Sequence, residues 1–70
     1  MSETITVYVN DDEVTVPGGT LLNEIPERFG LNPDTVVMLV NGEPAPRETW
    51  GERVLADGDR IDLARFVGGG

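Results

Sequence analysis

The residues with the clearest chemical potential in this 70-residue chain are its last seven, Ala64-Arg65-Phe66-Val67-Gly68-Gly69-Gly70. A strand-like run gives way to three glycines. Without Cβ atoms, Gly68, Gly69 and Gly70 cannot pack a core, and the tail is expected to stay flexible unless a partner holds it. Frayed ends rich in small residues are also common, so the tail alone does not establish a use. Its one distinctive group is an unhindered α-carboxylate on a thin, extensible lead.

The other candidate groups are carboxylates. Asp57, Asp59 and Asp62 invite a calcium reading, because hard cations take oxygen ligands. Their spacing lacks the full calcium-loop pattern, and Asp57-Gly58-Asp59 between two apolar runs reads as a turn, so no metal is expected. Asp11, Asp12 and Glu13 read as a solvated hairpin tip. Paired carboxylates can do acid–base work only around a concave pocket, for which a chain this short has little room. With no Cys and no His there is no disulfide, thiolate nucleophile or imidazole base. The chain is not expected to be an enzyme.

Thirteen acidic against five basic residues give a formal charge of −8. Such a surface repels phosphate backbones and anionic lipid, so neither nucleic acid nor membrane is an expected partner, whereas a basic protein surface would be attracted. All five basic residues are Arg and none is Lys. Composition bias explains this, and so does adaptation to high salt, where a dense carboxylate surface is screened. No apolar run reaches membrane-spanning length and no basic-then-apolar leader is evident. The expected setting is the cytoplasm, and the expected state alone is a monomer.

One small domain, residues 1–67, must position the tail at 68–70. Glu3 to Val9 alternates, with Ile5, Val7 and Val9 on one side, and Glu13 to Val16 resumes the alternation with Val14 and Val16. Asn10-Asp11-Asp12 between them makes a hairpin. Thr20 sits where a helix N-cap belongs, and Leu21, Leu22, Ile25 and Phe29 would form one apolar stripe. In that helix Pro26 falls at the sixth position, where its missing N–H would cost about 3 kcal/mol in a regular interior. The helix should therefore be short or kinked, closing at Gly30.

Thr35 to Val40 is a strand, and Asn41-Gly42 is the strongest hairpin signal in the chain. Glu43 to Ala45 is the return strand, which its flanking prolines demote to an edge. Arg47 to Arg53 reads as an irregular or helical piece that folds Trp50 onto the core. Val54-Leu55 then rejoins the core, and Ile61 and Leu63 face in on the last strand. This order predicts an α+β fold with a mixed sheet of about five strands and one helix across one face. If Val36, Met38 and Val40 face the helix, then Val37 and Leu39 face outward as a candidate docking patch. Phe66, by parity opposite to Ile61, Leu63 and Val67, extends it.

Val40-Asn41-Gly42-Glu43, Pro46-Arg47, Trp50, Leu55-Ala56-Asp57-Gly58-Asp59-Arg60-Ile61 and Val67-Gly68-Gly69-Gly70 together resemble the ThiS-like sulfur carriers of thiamine biosynthesis, members of the ThiS/MoaD superfamily of ubiquitin-like β-grasp proteins. The similarity spans most of the chain. Pro26 departs from the family's regular helix, and three glycines replace the minimal pair. The resemblance implies that an E1-like adenylyltransferase (ThiF/MoeB-like) uses ATP and magnesium to adenylate Gly70. Sulfur from a donor such as a cysteine desulfurase then gives a C-terminal thiocarboxylate, and a ThiG-like thiazole synthase accepts the sulfur. No cofactor is bound by the carrier itself. Gly68 and Gly69 would thread a narrow channel, while Val37, Leu39, Arg65, Phe66 and Val67 would contact the partner.

Two other readings stay open. The chain could be a ubiquitin-like protein modifier or a carrier for another pathway, such as molybdopterin synthesis or tRNA thiolation. Alternatively, it is a β-grasp interaction module with an inert tail.

Overall fold

The computed structural model describes residues 3–65. The first hairpin joins β1 (Thr4–Val9) to β2 (Asp12–Pro17), with Val9 paired to Asp12 across the turn. Both turn residues, Asn10 (φ 52°) and Asp11 (φ 73°), are left-handed. That is the geometry whose twist matches a two-residue hairpin, and short polar side chains tolerate it. The same geometry recurs at Asn41 (φ 53°) and Gly42 (φ 86°) between β3 (Val36–Val40) and β4 (Glu43–Pro44). The last strand, β5 (Arg60–Arg65), lies in the middle of the sheet, whose order is β2-β1-β5-β3-β4. It runs parallel to β1 and antiparallel to β3. The sheet is thus mixed and five-stranded, as the β-grasp reading expects.

Alternation decides the two faces. Val7, Val9, Met38 and Ile61 are buried on one, where they form a cluster with Leu22 and Ile25, and Val16 is buried on β2 beside them. Residues Val36, Met38 and Val40 are buried while Val37 is exposed and Leu39 half-buried, so the facing inferred for this strand holds. Trp50 closes one end of the core from a 3-10 helix, Arg47–Glu52. Its indole Nε1–H donates to the Ala45 carbonyl at 2.9 Å, which satisfies its polar tip as burial requires. Beyond it, Leu55 is buried but Val54 is 58% exposed, so only the former rejoins the core.

The helix differs from the sequence expectation in where it starts. Thr20 is not its cap; the N-cap is Asn23, and α1 covers Glu24–Arg28. The reason is tertiary. Leu22 donates its N–H to the Arg53 carbonyl, Leu55 donates to the Thr20 carbonyl, and Leu21 bridges Val54. Residues 20–22 are therefore held against 53–55 and cannot enter a helix. Thr20 is buried, its hydroxyl donating to the Pro17 carbonyl at 2.7 Å.

Pro26 consequently occupies the third helical position, where its N–H would have no partner within the helix in any case. No interior bond is broken, and the expected penalty does not arise. The four-residue stripe is also reduced: Leu22 and Ile25 are buried, Leu21 is half-buried and Phe29 is 40% exposed. Gly30 (φ 71°) ends the helix as expected, with its N–H bonded to the Glu27 carbonyl and that of Leu31 to the Pro26 carbonyl. This pair of bonds satisfies carbonyls that the helix end would otherwise orphan.

Candidate functional site

The site anticipated from sequence has two parts, a glycine tail and an apolar patch on the uncovered sheet face. Phe66, Val67, Gly68, Gly69 and Gly70 lie outside the described residues, as does the boundary between residues 1–67 and 68–70. What the structure places is their root. The root is β5, the central strand of the sheet, clasped by β1 on one side and β3 on the other.

Two asparagines tie β5 to its neighbours. Asn41, at the end of β3, donates its main-chain N–H to the Arg60 carbonyl and accepts the Arg60 N–H on its side-chain oxygen. Asn10, at the end of β1, donates its main-chain N–H to the Ile61 carbonyl. Its side-chain amide then spans Leu63, with Oδ1 accepting the Leu63 N–H at 2.8 Å and Nδ2 donating to the Leu63 carbonyl at 3.2 Å. Two of the three carboxylates that invited a metal reading, Asp57 and Asp59, are engaged in the turn that leads into β5. Asp57 accepts the Thr6 N–H, and Asp59 accepts both the Ala56 N–H and the Asn41 side-chain amide.

The patch is formed by β3 and its neighbours. Val37 pairs with Ala64, while Leu39 pairs with Asp62 on one side and Pro44 on the other. These residues share the face opposite the helix, and Val37 is 37% exposed. Arg65 does not join them. It pairs with Val36, a core residue, so strand alternation directs it to the helix side of the sheet, where it is exposed. Val37 and Leu39 are thus brought together, and Arg65 stands on the other face of the same strand end.

The described surface also carries two ion pairs. Tyr8 and Arg60 are paired neighbours across β1 and β5, and the Arg60 guanidinium reaches Asp11 at 2.8 Å. Arg47 binds the Pro33 carbonyl and Asp34 and lies 5.3 Å above the Trp50 ring. Both ion pairs are exposed, and pairs of this kind contribute about 0–1 kcal/mol. Among the described residues there is no cleft or cavity, no cluster of three carboxylates placed to hold a metal, and no helix long and apolar enough to cross a membrane. What the arrangement offers is a handle: an open sheet face beside a strand that delivers the chain end. Sequence reasoning missed the two asparagine clasps. Their turn signals were legible, but not the strand that their side chains reach.

Known proteins share this fold. The model of the ThiS family matches residues 2–70. The sulfur carrier protein ThiS of Escherichia coli (strain K12) is 27% identical over 64 residues, which cover 91% of this chain and 97% of that protein. A thiazole synthase of Magnetococcus marinus is 30% identical over 64 residues, and here the match spans only 20% of the relative's length. The crystal structure of the thiamine biosynthesis protein ThiS from Geobacter metallireducens superposes with a TM-score of 0.79 at 26% identity, covering 94% of this chain and all of that one. A solution structure of a thiamine biosynthesis protein from the same organism gives 0.75 at 28% identity, covering 94% of this chain and 88% of the other. A family match that runs from the first strand through the terminal glycines, on a β-grasp sheet of the same form, places the chain in the ThiS family, the sulfur carriers of thiamine biosynthesis.

Proposed function

We propose that the chain carries sulfur as a thiocarboxylate on the terminal carboxyl of Gly70, on behalf of a thiazole synthase in the cytoplasm. The carboxylate must first be made electrophilic. An E1-like adenylyltransferase joins it to the α-phosphate of ATP with magnesium, and pyrophosphate leaves. A persulfide sulfur supplied by a cysteine desulfurase then attacks the acyl carbon and AMP departs, leaving an acyl disulfide; a dithiol reductant cleaves its S–S bond, releasing the thiocarboxylate and the donor's thiol while itself becoming a disulfide. The chain supplies no catalytic group to any of these steps. It has no Cys or Lys that could compete for its own activated terminus.

The observation that carries this reading is the family match over residues 2–70, which takes in Gly68, Gly69 and Gly70. Two features support the division of labour. The central position of β5 gives the tail a rigid root, and the exposed Val37 beside Leu39, Ala64 and Pro44 gives the activating enzyme an apolar surface next to that root. Phe66 and Val67 would continue the contact along the tail, with Arg65 meeting the partner from the opposite side of the strand. The acceptor is supported by the thiazole synthase of which a segment like this chain makes up a fifth, since two functions found in one polypeptide act in proximity.

Intact-mass measurement after incubation with ATP, magnesium, an E1-like enzyme and a persulfide donor tests the proposal. The expected product has one oxygen replaced by sulfur, at Gly70. An unchanged mass under conditions where the enzyme turns over another carrier would refute it, and covalent adducts on other proteins would indicate a modifier instead.

A further inference from the structure

We infer that Asn10 is a positioning residue for the strand that leads to the C-terminal tail: its side-chain amide takes the place of the peptide unit that β1 no longer supplies, clasps Leu63, and sets how far β5 is held on both sides. The inference rests on the carrier reading above for its functional consequence, but its structural basis is independent. In β5, alternate residues turn their main-chain groups to opposite neighbours. The Arg60 carbonyl receives the Asn41 N–H from the β3 side, while the Asp59 and Ile61 carbonyls receive the Tyr8 and Asn10 N–H groups from the β1 side. Leu63 and Arg65 therefore also face the β1 side.

In a continued parallel ladder the Leu63 N–H would go to the main-chain carbonyl of Asn10. Asn10 instead adopts φ 52° to enter the hairpin to β2, and the Leu63 N–H goes to its side chain. There Oδ1 takes the Leu63 N–H and Nδ2 the Leu63 carbonyl. Among the described residues no group of β1 reaches further along β5 than this. Beyond Leu63 the strand is paired to β3 alone, Ala64 with Val37 and Arg65 with Val36. Asn10 thus marks the step from a strand held on both sides to one held on one side.

The consequence is for recognition. A partner that activates the terminus must order whatever part of the lead is loose, and each residue ordered on binding costs conformational entropy. With Leu63 clasped, β5 is held on both sides as far as Leu63 and by β3 alone at Ala64 and Arg65. With the clasp removed, Leu63 too is held by β3 alone, the end of β5 opens more readily, and the partner must hold it closed. Such a loss weakens binding of ground state and transition state alike, so it raises KM and leaves kcat unchanged.

The test uses Asn10→Gly, since Gly keeps the left-handed backbone and removes only the side-chain bonds. Asn41→Gly is its control: it removes a comparable clasp from the same strand at the end remote from the tail. In amide hydrogen exchange, Asn10→Gly should accelerate exchange at Leu63 by about tenfold, with Asn41→Gly leaving Leu63 near its original rate. In adenylation by an E1-like enzyme, Asn10→Gly should raise KM roughly tenfold with kcat within about twofold, and Asn41→Gly should not. Unchanged Leu63 exchange in Asn10→Gly overturns the clasp, and equal KM effects of the two variants overturn the positioning role. If the unaltered chain is not adenylated at all, the carrier reading fails and the exchange measurement alone decides whether Asn10 holds β5.

Discussion

Pro26→Ala separates the helix the sequence suggests from the helix the tertiary structure makes. In a helix capped at Thr20, Pro26 would lie in the interior, and Ala in its place would stabilise the protein by about 3 kcal/mol. With Glu24 as the first helical residue, the proline N–H has no intrahelical acceptor to lose, and that gain disappears. What remains is unfavourable. Pro26 is among the most fully buried side chains, and Ala removes two ring carbons at about 0.8 kcal/mol each, before any cavity is counted. Relaxing the unfolded chain at this position costs a further 0.4–1 kcal/mol or so.

The expected outcome is destabilisation by about 2 kcal/mol, or roughly 10 °C in Tm for a domain of this size. Urea unfolding followed by Trp50 fluorescence would measure it, with the slope of the transition checked to exclude a change in the denatured state. A rise in stability of 1 kcal/mol or more would refute the reasoning. It would mean that residues 20–22 are helical in solution and that the Leu22–Arg53 and Thr20–Leu55 bonds are not made.

Three further outcomes follow from the same structure. Val37→Asp should impair adenylation by the activating enzyme at least tenfold in kcat/KM while changing stability by under about 1 kcal/mol, because the side chain stands on the uncovered face opposite Ala64; a large fall in Tm would mean the face is covered. Deleting Gly69 and Gly70 together, which leaves less than the family's minimal glycine pair, should leave cooperative unfolding intact and abolish sulfur loading, as circular dichroism and intact mass would report; loss of the unfolding transition would show that the tail helps hold the fold. With a formal charge of −8 and two exposed ion pairs among the described residues, Tm should rise by about 5 °C from low to molar salt as carboxylate repulsion is screened; a flat Tm would leave composition bias as the explanation of the Lys-free surface.

Local patterns in the sequence determined much of this protein. The alternations in β1, β2 and β3, the left-handed turns at Asn10-Asp11 and Asn41-Gly42, the stop at Gly30 and the outward facing of Val37 and Leu39 all follow from neighbours a few residues apart. The ordered motifs ending in Gly68-Gly69-Gly70 pointed to the family before any contact was known. The tertiary structure alone decided what depends on segments distant in the chain. It put β5 between β1 and β3, started the helix at Glu24 because Arg53 and Leu55 hold Leu22 and Thr20, and thereby made Pro26 harmless. It also set the amide of Asn10 on Leu63, 53 positions away, and turned Arg65 from the face that carries Val37. Periodicity reports which side of an element is apolar; it says nothing of which main-chain groups will find partners across the sheet, and those partners fix where an element begins and how far it is held.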